Sequence, residues 1–354
     1  MAVLQHIKKL TSLLGPSGYE HQVSHYLADY LKERTDRVSV DALGNVTARK
    51  KGNRPGPVLL LTAHMDEVGF LIKKVEPNGL LRFEKLGGND DRNLPAQPVK
   101  LLGRDSVVDG VIGTLSAHFA KFDAASVRNH RELYIDIGAA SEQEVQEMGV
   151  EIGTPVTWGT EWKLLGPPGK QQICTKSLDD RSGCAVLLQV LEELEGTAFS
   201  GELVFLFTVQ EEVGLRGAKT AAQHITADVA LAIDTTAVSD TPESPMDDSH
   251  GLGRGAGIKV MDASLIVHST IKQLLIDFAQ KEHIPYQLEI FTGIGTDGGA
   301  VTYANNGIPT GVLSIPSRYT HSAVELVDLR DVMAVKDIVK TFILHMDEQQ
   351  SFAF

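Results

Sequence analysis

Several short runs in this chain are apolar at almost every position, and helix-patterned segments separate them. Residues 58–63 have Thr62 as their one polar side chain. Residues 203–209 are rich in β-branched and aromatic side chains, and 229–233 and 310–315 are built alike. Such strands must be covered on both faces, which a parallel sheet between helices provides. Helical patterns at 182–194, 219–224, 269–282 and 332–346 alternate with these runs and with a strand at 287–291. The alternation predicts an α/β fold, a mixed and largely parallel sheet flanked by helices.

Two parts of the chain stand outside this alternation. At the N-terminus, Leu4, Ile7, Leu10 and Leu14, then Val23, Tyr26, Leu27, Tyr30 and Leu31, recur at threes and fours around Gly15-Pro16-Ser17-Gly18, which predicts two helices joined by a turn. A strand pair turning at 43–45 follows. Between Glu67 and Leu165 the runs become short, β-rich and punctuated by Gly, Pro and Asn, with one helix opened by a Ser141/Glu144 capping box. This segment is expected to be an inserted, small β-barrel-like domain at 67–165, within a larger domain made of 1–66 and 166–354.

The balance of 33 Lys plus Arg against 46 Asp plus Glu, a formal charge of −13, argues against nucleic acid and anionic membrane as partners. No apolar run approaches the length of a membrane span. The N-terminal 20 residues have lysines within an apolar pattern and no small-residue cleavage site, so they read as a helix, not a signal peptide. The two cysteines, Cys174 and Cys184, form no CxxC pair and fit a reducing cytoplasm.

The apolar runs break off onto metal-type side chains. One leads into His64-Met65-Asp66, the next into Glu211-Glu212, the third into Asp234, and the last into a loop carrying His321; Asp179-Asp180 precedes a helix start. In open α/β sheets the active crevice lies beyond the carboxyl ends of the strands. Imidazole with carboxylate suits zinc, cobalt or manganese, whereas calcium takes more oxygens. His64, Asp179, Glu212, Asp234 and His321 would serve two divalent ions, leaving Glu211 as general base. Singly, each has a plainer reading: a His-x-Asp by chance, a solvated turn, a helix cap. Their convergence on one sheet edge favours the metal reading.

The segments SGYE (17–20), DALGN (41–45), AHMDEVGF (63–70), KSLDDRSG (176–183), TVQEEVGLRGA (208–218), AIDTT (232–236), GTDGGA (295–300) and IPSRYTHSAVE (315–325) resemble the dinuclear metallo-aminopeptidases. That family includes the tetrahedral (TET) aminopeptidases, the glutamyl aminopeptidase of lactic bacteria and the deblocking aminopeptidases. The resemblance implies a zinc-peptidase-like catalytic domain, a dimerisation role for the insert, and dimers assembling to a dodecamer in the cytoplasm. It implies His64 and Asp234 as terminal ligands of one metal, Glu212 and His321 of the other, and Asp179, not Asp180, as the bridge. It further implies Glu211 as general base and Asp66 as the carboxylate orienting His64. The expected activity is removal of N-terminal residues from peptides by a two-metal activated water. Ser177 and Gly298 stand where the family more often has Ala, and 113–122 lacks a proline usual before its histidine.

Other readings remain. A carboxypeptidase, dipeptidase or deacylase on the same site would need a cation for the substrate, and Arg254 or Arg318 are candidates. An endoglucanase, a name some relatives carry, needs one carboxyl kept protonated, which metal ligands cannot supply. A metal-dependent binding protein would not need Glu211. His118, His224, His250, His268 and His283 read as surface or packing residues, the cysteines as helix packing, glycines 251–257 as a mobile loop, and 240–248 as a solvated acidic loop.

Overall fold

The structure, a computed structural model, describes residues 2–120, 127–242, 249–347 and 351–352 of the 354. Residues 243–248 of the acidic run and 121–122 of the 113–122 segment fall outside them.

Four parallel strands form the centre of an eleven-stranded sheet, in the spatial order Ser200–Thr208, Arg54–His64, Val229–Ala237, Thr310–Arg318. Their side chains divide by strand alternation. Leu59, Leu61, Phe205 and Leu231 enter a core under the helices Ala2–Ser12, Leu178–Glu193 and Leu329–His345. Leu60, Val204, Leu206 and Ala230 face the other way, with Ala222 and Val301. Both faces are thus covered, as their uniform apolarity requires.

Antiparallel strands extend the sheet on both flanks. The hairpin Arg37–Val40 and Val46–Lys51 joins one edge. On the other, Thr310–Arg318 pairs mid-strand with Ala256–Met261 and at its end with Glu325–Asp328. Gln172–Thr175 and then Lys163–Leu165 continue outward. Lys163–Leu165, which the sequence boundary puts with the insert, is therefore hydrogen-bonded into the large sheet.

The insert's strands close into a six-stranded antiparallel barrel, running from Gly69–Val75 to Pro155–Trp158. Phe70 sits at its centre, edge-on to both Phe83 and Trp158 at 5.0 Å between ring centroids. At the junction, buried Glu67 holds Lys176 Nζ at 2.7 Å and accepts the Gly15 amide, tying the N-terminal turn, the barrel's entry and the segment before Asp179 together.

Glycines 251–257 differ from the expected mobile loop. Asp331 accepts the amides of Gly253 and Gly255 at 2.6 and 2.7 Å, and the Gln287 amide clasps Gly251. A strand begins at Ala256. Burial raises the Asp331 carboxyl from 3.8 to about 7. A carboxyl resisting ionisation only when folded supports folding while protonated, and that support is lost as pH rises from its unfolded value through about 7. Asp331→Asn is therefore expected to cost most stability at pH 5 and least at pH 8, measured as the difference in Tm from the parent.

Candidate active site

The parallel strands end in one direction, which gathers the residues at their carboxyl ends. Thr208 lies in register with His64, and Asp234 with Ser314. Asp234 lies inside its strand, which runs on to Ala237 because pairing with Thr310–Arg318 continues through Ser317. Asp179 and Asp180 have non-helical backbone at the start of Leu178–Glu193, joined by a cis peptide bond.

Asp179 stands between two imidazoles. Its Oδ1 is 3.1 Å from His64 Nε2, and its Oδ2 is 3.4 Å from His321 Nε2. Asp234 Oδ1 approaches the same His64 nitrogen at 3.8 Å, and Glu212 Oε2 lies 3.0 Å from His321 Nε2. One carboxylate thus faces a His64/Asp234 group with one oxygen and a His321/Glu212 group with the other. Asp180, set aside from sequence, is also close: it groups with His64 and Asp234 within 4.8 Å. Its Oδ1 accepts the Gly183 amide at 3.0 Å, serving the helix start.

The supports of these side chains are specific. His321 Nδ1 is 2.8 Å from the Gly88 carbonyl, so Nδ1 carries a proton and Nε2 is the nitrogen turned to Asp179 and Glu212. Asp66 Oδ1 lies 3.4 Å from His64 Nδ1 and accepts the Glu211 amide at 2.9 Å. Its Oδ2 accepts the Ser17 hydroxyl at 2.6 Å and the Glu212 amide at 3.2 Å. Asp66 therefore holds both His64 and the Glu211-Glu212 turn. Cys184 is fully buried and donates to the His64 carbonyl at 3.2 Å; burial raises its thiol well above the usual range, so it is no nucleophile.

Glu325 carries a task that sequence analysis assigned to no residue. Its Oε2 accepts the Asp179 amide and its Oε1 the His321 amide, each at 3.0 Å. One buried carboxylate thereby sets the spacing of two candidate ligands. It ends the quoted IPSRYTHSAVE segment, which was the available signal.

The charges are crowded. Burial, then Asp234 and Glu212, push Glu211 well above the usual carboxylate range. Burial and Asp179 do the same to Asp234. For His321, burial acts downward, but Glu212 and Asp179 outweigh it and push the ring up to about 12. Buried charge of this density needs cations or protons for balance. Glu212 Oε1 and Asp180 Oδ2 are buried with no hydrogen-bond partner. Orphaned carboxylate oxygens beside imidazole nitrogens fit divalent ions of borderline softness.

His64, Asp179, Glu211, Glu212, Asp234 and His321 line a cavity of about 560 Å³. Arg254 and Arg318 do not line it. Arg318 grips Asp240 with two hydrogen bonds of 2.7 and 2.8 Å, and Arg254 sits beside the same carboxylate. His118, His224, His250, His268 and His283 lie off the cavity. A Cβ at Gly298 would come 2.8 Å from Val312 Cγ2, so an alanine there would need Val312 to shift.

Known proteins resemble the chain over nearly its whole length. A putative aminopeptidase of Acetivibrio thermocellus is 40% identical over 336 residues, 94% of this chain and 96% of the relative. The structure of an aminopeptidase from Desulfurococcus kamchatkensis superposes with a TM-score of 0.91 at 39% identity, covering 97% and 94% of the two chains. That of the Pyrococcus horikoshii TET1 peptidase, described as assembling into a tetrahedron or a large octahedral shell, gives 0.87 at 34% identity, covering 97% and 100%. The family model described as M42 glutamyl aminopeptidase matches residues 44–338, and the chain belongs to that peptidase family.

Proposed function

We propose that this chain is a dinuclear metallo-aminopeptidase. The carrying observation is Asp179, whose two oxygens face two separate imidazole–carboxylate groups in a cavity that also holds Glu211. His64 and Asp234 would hold one divalent ion, Glu212 and His321 the other, with Asp179 shared; zinc, cobalt and manganese all suit the donors. Asp180 is the weaker candidate for the shared position, because one of its oxygens is engaged by Gly183.

Bound ions of this kind acidify water and polarise a carbonyl. The protein's own groups do the rest. Glu211, held by its backbone amide to Asp66, takes the proton of the attacking water and delivers it to the leaving amine. Its raised affinity for a proton suits both steps. The carboxylate-rich end of the cavity receives the peptide's free α-ammonium group. No arginine or lysine lines the cavity among the described residues, so a substrate carboxylate has no side-chain cation to meet, and the carboxypeptidase reading loses its support. Cleavage of aminoacyl p-nitroanilides but not of their N-acetyl twins tests the assignment; equal cleavage of both would overturn it.

The Glu325 clamp leads to a separate expectation. Glu325→Gln keeps one acceptor and replaces the other by a donor facing an amide. Metal affinity should fall roughly 10–100-fold, as for other groups that orient ligands. Isothermal titration of the metal-free protein with zinc measures this.

We also infer homo-oligomerisation through the barrel, which exposes Val107, Val111, Leu115 and Phe119. The assembly of the TET1 relative supports this reading; the mass of the native particle in solution distinguishes a dimer from a dodecamer.

A further inference from the structure

We infer that the cavity selects peptides whose N-terminal residue has an uncharged, apolar side chain, received by a wall made of Leu215, Phe291 and Ile294. The inference rests on the aminopeptidase reading and adds the substrate class.

Beyond Glu211 and the candidate ligands, the cavity is lined by those three side chains, by Ala237, and by threonines and glycines. None of these is charged. Phe291 follows the edge strand Tyr286–Ile290 and is kept in place by what comes after it. A Cβ at Gly293 would fall 2.7 Å from the Phe291 ring, so the missing side chain lets the ring lie across the loop. Leu215 reaches the cavity just after the Glu211-Glu212 turn, with left-handed backbone at φ 57°.

Behind this wall lies a buried ion pair, Lys259 with Glu289, in which Lys259 Nζ and Glu289 Oε2 make no hydrogen bond. Glu289 is buried, accepts the Thr236 hydroxyl, and has Lys259 Nζ at 3.2 Å. Asp262 lies 3.9 Å from the same ammonium and accepts the Thr296 hydroxyl at 3.1 Å. On the far side, Arg318 is engaged by Asp240. A lysyl side chain entering here would lose its hydration and meet no carboxylate on the Leu215, Phe291 and Ile294 wall. A glutamyl side chain would meet no cation on the wall, since Lys259 is fully buried behind it against Glu289. Both bear the cost of an unpaired buried charge, whereas leucyl, methionyl or phenylalanyl side chains bury apolar surface against apolar surface.

The test is a panel of leucyl, methionyl, phenylalanyl, lysyl, arginyl and glutamyl p-nitroanilides, run on the full-length protein loaded with zinc or cobalt. The three apolar substrates should exceed the charged ones in kcat/KM by roughly 10–200-fold, the range a hydrophobic pocket can discriminate. In Ile294→Asp the new carboxylate should lower leucyl and raise lysyl turnover, moving their ratio at least about tenfold toward lysyl, with metal content unchanged. A lysyl or glutamyl preference in the parent would overturn the inference and leave the aminopeptidase reading standing. An unchanged ratio in Ile294→Asp would remove the wall assignment. No cleavage of any substrate by the metal-loaded protein would remove the underlying reading, and this inference with it.

Discussion

Glu211→Gln should lose about 10²–10⁴-fold in kcat while keeping its metal and its fold. That loss corresponds to about 3–5 kcal/mol of transition-state stabilisation. The expectation has a structural basis. Glu211 lines the cavity and is absent from both groups of side chains close enough to share an ion. Glutamine is nearly isosteric, and the Glu211 backbone amide would still donate to Asp66. Binding of the substrate side chain should also survive, so KM should change little. Steady-state kinetics with metal analysis on the same sample separates the two effects. If the variant lost metal along with activity, Glu211 would be a ligand and the base would have to be sought elsewhere.

Asp179→Asn should be more damaging, and differently so. Asp179 stands between both imidazoles. An amide in its place offers one neutral oxygen and turns an NH2 toward the other histidine. Both ions should weaken together, and activity should fall by more than the roughly 10²–10⁴-fold a proton-transfer group is worth. Added zinc or cobalt should restore little of it. Measuring bound metal after dialysis, by inductively coupled plasma mass spectrometry, checks this. Retention of two ions with low activity would place the bridge elsewhere, with Asp180 next in line. Against the effect of burial, the two imidazoles hold the Asp179 carboxyl below the usual range, so the same substitution should lower the thermal stability of the metal-free protein at neutral pH.

The two variants also mark what could be read without coordinates. The gathering of His64, Glu211, Glu212 and Asp234 at one sheet edge was legible because each follows an apolar run whose burial sets its direction, and parallel strands deliver their ends to one edge. Asp179 as the shared carboxylate came from family resemblance; spacing alone left it equal to Asp180. Contacts across long stretches of chain were not legible. Glu325 reaches an amide 146 residues away in sequence, and Arg318 meets Asp240 across 78. Arg318 therefore looked like a candidate for substrate until its partner was seen. The glycines before Ala256 looked mobile because their tether is Asp331, on the closing helix. Lys163–Leu165 looked like more of the β-rich insert because its pairing with Gln172–Thr175 is invisible to local pattern.

Titration of the metal-free protein with zinc or cobalt, following cleavage of leucyl p-nitroanilide and its N-acetyl twin, tests the central claim most directly. The account predicts activity on the free amine alone, rising to a plateau at two ions per chain. Full activity without metal, a plateau at one ion, or equal turnover of the acetylated twin would contradict it.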